Sequence, residues 1–160
     1  MKIVPAISLL VVLAAATTGL YQAVNHDRIL YLDAVRLFKR DSYCEALPIF
    51  QKLAVKDFRK TDSLIYMGLS YEKQGNTRDS IRIFRQVLSL EPSNDDVRFK
   101  LGELYERDHE YRLAADMYGE IIKKKPANRA ARVRRARALT AMGRFDEAID
   151  IYREMLGERS

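Results

Sequence analysis

Residues 67–92 read MGLSYEKQGNTRDSIRIFRQVLSLEP, and residues 101–126, which begin 34 positions later, read LGELYERDHEYRLAADMYGEIIKKKP. Gly68 and Gly102, Tyr71 and Tyr105, Phe84 and Tyr118, and Pro92 and Pro126 stand at matched places in the two stretches. The period continues outward. With blocks starting at Asp27, Thr61, Asp95 and Arg129, the eighth residues are Ala34, Gly68, Gly102 and Ala136, and the twentieth are Ala46, Ser80, Ala114 and Ala148. All eight are small.

Each recurrent type has a physical task. Two antiparallel helices approach closely only where side chains are small, so the eighth and twentieth residues mark the contact between a first helix A and a second helix B. The twenty-fourth residues Phe50, Phe84, Tyr118 and Tyr152, and the eleventh residues Leu37, Tyr71, Tyr105 and Leu139, are expected to fill the wider space on either side. Pro92 and Pro126 cannot continue a helix and push the residue before them out of the α region, so they close the block. The fifteenth residues, Asp41, Gly75, His109 and Gly143, are types that tolerate positive φ, which places the A-to-B turn there.

The four blocks resemble the tetratricopeptide repeat, a helix-turn-helix unit of 34 residues. The resemblance covers Asp27 to Gly157 and implies an all-α, right-handed superhelical solenoid with a concave binding face. The expected organisation is an N-terminal apolar segment, 1–24, followed by repeats at 27–60, 61–94, 95–128 and 129–160. Asp33 and Arg135 occupy the seventh position, where the family usually has a large apolar residue, so packing is expected to be looser at the ends of the array.

In the family, helix A lines the groove, and that register carries over to Tyr31, Val35, Phe38, Ile65, Leu69, Glu72, Phe99, Glu103 and Arg137. The resemblance thus implies a groove running from apolar, through acidic, to basic, and a protein partner seated in it. The apolar inlet suits a partner helix or an extended peptide, or residues of the chain itself. The Lys, Asn and Arg set with which some relatives clamp a chaperone's C-terminal carboxylate is missing: the register beginning at the first block offers Tyr31, Val35, Tyr66, Asp96 and Lys100 instead.

Charge is concentrated. The formal net charge is +6, from 28 Lys and Arg against 22 Asp and Glu, yet eight of the positives fall between Lys123 and Arg137 with no acid among them. These are Lys123, Lys124, Lys125, Arg129, Arg132, Arg134, Arg135 and Arg137, and the rest of the chain holds 20 bases against 22 acids. Arg129, Arg132 and Arg135, three apart, are expected on one helical face. Such a patch suits an acidic protein or anionic lipid. No aromatic residue interleaves it, which disfavours nucleic acid. The alternative is a solvated helix face.

Ile3 to Val24 carries no charge. As a helix its 22 residues span about 33 Å, enough for a hydrocarbon core of about 30 Å, and this reads as a single-pass membrane anchor. Lys2, the apolar run and Ala14-Ala15-Ala16 equally have the layout of a cleavable signal peptide. Arg28, Arg36, Lys39 and Arg40 beyond the segment favour a cytoplasmic body by the positive-inside rule, whereas the short Lys2-led start favours an extracytoplasmic, periplasmic one. The expectation adopted is a membrane-anchored periplasmic body; a soluble exported form and a cytoplasm-facing body stay open.

One cysteine and two histidines supply no zinc ligand set, and a lone cysteine forms no intramolecular disulfide. No nucleophile elbow, phosphate loop or zinc-protease motif occurs. Cys44 has Glu45 beside it and no base nearby in sequence to favour a thiolate. The expectation is a protein that is not an enzyme, carries no cofactor or metal, and serves as a protein-binding scaffold or assembly factor in a membrane-associated complex. The alternative is a permanent subunit of a larger envelope enzyme or export machine. Self-association is expected at the C-terminal edge, where Ile149, Tyr152 and Leu156 are expected to be uncovered.

Overall fold

The computed structural model describes residues 25–157. Helix α1 runs through residues 25–39, and α2 (Tyr43–Val55), α3 (Lys60–Lys73), α4 (Thr77–Leu90), α5 (Asp95–Arg107), α6 (Tyr111–Lys124), α7 (Arg129–Ala141) and α8 (Phe145–Leu156) follow. No strand occurs among the described residues. The segment read as an anchor or signal lies outside them, and among them no helix is long and apolar enough to cross a membrane.

Local chemistry sets the helix limits. Asn76, Asn94 and Asn128 cap α4, α5 and α7, their side-chain oxygens accepting from the N–H groups of Asp79, Val97 and Ala131. Each such cap stabilises its helix by about 1 kcal/mol. Helices α4 and α6 stop two residues short of Pro92 and Pro126. The chain reverses from α1 to α2, α3 to α4, α5 to α6 and α7 to α8 through a residue of positive φ each time: Asp41 at 62°, Gly75 at 78°, His109 at 61° and Gly143 at 76°. Glycine takes that conformation without steric cost, while aspartate and histidine pay a modest one.

From α2 to α8, consecutive helices pack against one another. The small residues let the aromatics in directly. The Phe84 ring lies so close to Gly68 that a Cβ there would sit 2.9 Å from it, and the Tyr118 ring would be 2.7 Å from a Cβ on Gly102. The twenty-fourth-position aromatics therefore fill the gap opened by the eighth residue, not the space to its sides. Ser80 tightens the same contact by donating its hydroxyl to the Gly68 carbonyl at 2.8 Å. Phe50, Phe84 and Tyr118 are all buried, and the helix after each covers it.

Packing does loosen at the C-terminal end. Only Ala148 of α8 is buried, and with Ala136 and Leu139 it forms a small cluster apart from the main core. The N-terminal end is better filled than Asp33 suggested, because Tyr31 and Ala34 of α1 join the main core.

Gly102→Ala should lower stability by about 1–2 kcal/mol, since crowding against Tyr118 outweighs the gain in helix propensity. Gly119→Ala should be neutral or stabilising by up to about 1 kcal/mol, because its nearest neighbour is the Arg135 guanidinium at 3.7 Å. Urea denaturation of the two variants reads this difference, and equal effects would refute the close-contact account.

Candidate functional site: the face of the first helices

Helices α1, α3, α5 and α7 are bridged in series by side chains of one repeating geometry. The twelfth residue of each block meets the sixth residue of the next. Between α1 and α3 the pair is aromatic, with Phe38 and Tyr66 ring centroids 5.1 Å apart and edge to face. Between α3 and α5 it is ionic, with Glu72 3.7 Å from Lys100. Between α5 and α7 it is Glu106 and Arg134 at 2.8 Å.

The ionic members join into one ladder. Arg107 reaches Glu72 at 3.0 Å, Lys100 pairs with Glu103 at 2.9 Å, and Arg134 spans Glu103 at 2.9 Å and Glu106 at 2.8 Å. The carboxylates are well withdrawn from water, with Glu72 11% and Glu106 19% exposed, so each relies on its cation for compensation. Under the ladder, burial pushes the Tyr118 hydroxyl well above the usual tyrosine range, and the neighbouring Glu106 charge adds to this.

The residues expected in the groove divide into three groups. Tyr31 is not groove surface: it is 7% exposed, edge-on to Phe50, Phe58 and Tyr66, with the Arg59 guanidinium 4.8 Å over its ring. The chain's own aromatics fill that end of the inlet. Phe38 and Phe99 are half-buried, their edges turned onto Tyr43 and Tyr66 and onto Tyr118. Val35, Ile65 and Leu69 remain half-exposed, Glu72 and Glu103 belong to the ladder, and Arg137 is exposed with no ion pair among the described residues.

The basic segment does not form the single free patch that its sequence suggests. Lys124 and Lys125 converge on Asp95 at 3.2 and 2.9 Å, and Lys123 pairs with Glu120 at 2.5 Å. Arg132 pairs with Glu154 of α8 at 2.5 Å, and Arg134 turns the other way into the ladder. Arg135 lies against Gly119 of α6, its Nε buried without a hydrogen-bond partner among the described residues. Arg129 and Arg137 alone of the eight are exposed and unpaired among the described residues. Acids brought in by other helices have dispersed the patch.

Lys100 and Arg107, both central to the ladder, were not picked out in the sequence. The signal for Lys100 was available as two acid–base pairs, Glu72 with Lys100 and Glu106 with Arg134, at one common separation of 28 residues, a spacing that Arg107, 35 residues from Glu72, does not share. Cys44 is exposed, and no group of three or more potential metal ligands occurs among the described residues.

The convergence on Asp95 makes stability depend on pH. The Lys125 hydrogen bond, helped by Lys124, holds the Asp95 carboxyl below its usual range against an opposing effect of burial. Its stabilising contribution is therefore complete at neutral pH and lost as the pH falls below about 4. Asp95→Asn should be less stable than the natural chain at neutral pH, with the gap closing in acid. Denaturation at both pH values checks this, and a gap independent of pH would contradict it.

Comparisons with known proteins agree with this architecture. Two sequence models of the tetratricopeptide repeat match, one at residues 67–111 and one at 107–159, together more than half of the chain. No curated protein matches the sequence. Among solved structures, MamA AMB-1 is similar at 27% identity and a TM-score of 0.69, over 84% of this chain and 73% of that one. MamA MSR-1 is similar at 26% identity and a TM-score of 0.67, over 84% and 78%. A MamA fragment from Desulfovibrio magneticus shares the fold at 20% identity and a TM-score of 0.72, over 78% and 71%. The chain is an all-α helical-repeat protein and belongs to the tetratricopeptide-repeat family.

Proposed function

We propose that the four repeats, 27–60, 61–94, 95–128 and 129–160, form a non-catalytic scaffold that captures a protein partner across the face of α3, α5 and α7. The ion-pair ladder carries this reading. It fixes three successive helices side by side before any partner arrives, and a surface ordered in advance loses less entropy on binding. It also defines the partner. Glu72, Glu103 and Glu106 are already neutralised, which leaves half-exposed Ile65 and Leu69 at one end and the unpaired Arg137 at the other. A segment with an aliphatic or aromatic anchor followed by a carboxylate fits that layout.

In this reading the apolar stretch 3–24 holds the body at a membrane, on the extracytoplasmic side, and the protein works as an assembly factor there. Binding through the ladder face is expected to weaken with salt, whereas a permanent subunit of a larger machine would stay associated in high salt.

Photo-crosslinking in cells from Leu69 and Arg137 should capture the same partner, while a crosslinker at Arg78 on the opposite layer should not. Capture from Arg78 alone would refute the assignment of the face. Arg137→Glu should weaken the interaction about tenfold, by the reversal of one well-placed charge.

A further inference from the structure

The inter-repeat contacts obey a fixed register, and that register can be continued past α8. The twenty-fourth residue of one block packs on the sixth of the next: the Phe50 and Tyr66 rings stack with centroids 4.9 Å apart and planes 5° from parallel. The twenty-fifth faces the seventh, since the Arg135 guanidinium lies 3.7 Å from the position of a Gly119 Cβ, and Gln51 and Met67 line one cleft. Within the array the twenty-fourth position is covered, with Phe50, Phe84 and Tyr118 at most 1% exposed, while the twenty-fifth residues Gln51 and Arg85 stay exposed at its edge.

On α8 the twenty-fourth position is open. Tyr152 is 37% exposed, and Arg153 is exposed with no ion pair among the described residues. On α1 the complementary positions are open too. The sixth residue of the first block is Leu32, 52% exposed, and the seventh is Asp33, whose only ion pair among the described residues is with exposed Arg36 of its own helix. Ile29, at the third position, is 41% exposed, whereas its counterparts Ser63, Val97 and Ala131 are buried.

We propose that a second copy of this chain docks α1 onto α8, so that copies stack head to tail and continue the solenoid. The observed register then sets Leu32 of the incoming copy on Tyr152, apolar on aromatic, and its Asp33 against Arg153, acid against base. Both pairs are complementary, although neither was used to define the register. The arrangement also accounts for an acid at Asp33, where Met67 and Leu101 of the next two blocks are buried. Such a contact is heterologous and does not close on itself, so it yields concentration-dependent chains of copies and not a discrete dimer.

Sedimentation of the full chain over a wide concentration range tests this. The expected result is a mass that rises progressively with concentration. Asp33→Arg and Arg153→Asp should each weaken association by roughly tenfold, and the double variant should restore it. Asp33 is half-exposed and Arg153 exposed, so unchanged helical circular dichroism is expected and separates loss of stacking from loss of fold. A chain that stays monomeric throughout, a closed dimer, association indifferent to both single variants, or a double variant no better than either single one would overturn the proposal. Because the ladder face is untouched by these substitutions, crosslinking from Leu69 distinguishes failure of stacking from failure of partner capture.

Discussion

Everything in this fold depends on the closeness that a small eighth residue allows. Gly68 and Gly102 have no Cβ, so the rings of Phe84 and Tyr118 settle against the backbone of the preceding helix. Helix A and helix B of one repeat are thereby brought to a fixed separation, and a fixed separation repeated along the chain sets how successive first helices lie side by side. The charged ladder of α3, α5 and α7 is a consequence of that spacing. Were the helices farther apart, Glu106 and Arg134, 28 residues distant in sequence, would not meet at 2.8 Å.

In the proposed function the ladder links packing to binding. Exposed ion pairs usually contribute about 0–1 kcal/mol each, so its importance lies less in overall stability than in order. Six side chains from three helices hold one another, and two of the carboxylates are largely withdrawn from water. A surface held in this way has few conformations to lose when a segment docks. It also hides most of its charge, so the proposed recognition falls to the few groups left uncompensated, chiefly Arg137, and to the apolar edge at Ile65 and Leu69.

The period of 34 made the fold legible, because turns, small residues and helix-ending prolines act locally and recur visibly. Asp41 and His109 adopt positive φ where the pattern placed a turn, despite not being glycine. The site was less legible because its chemistry is tertiary. Tyr31 carries a groove position, yet the neighbouring aromatics Phe50, Phe58 and Tyr66 and the arginine over its ring enclose it, and none of them belongs to its own helix. The basic run from Lys123 to Arg137 looked like one patch because its counter-charges, Asp95, Glu103, Glu106 and Glu154, lie up to 31 residues away. Composition counts charges, but it does not pair them across helices.

The central claim is that the face formed by the first helices is the working surface of the array. Hydrogen exchange on the full chain, free and in the complex it forms with its co-purified partner, addresses this directly. The account predicts added protection along α3, α5 and α7, with α4 and α6 unchanged. Protection confined to α4 and α6 would contradict it.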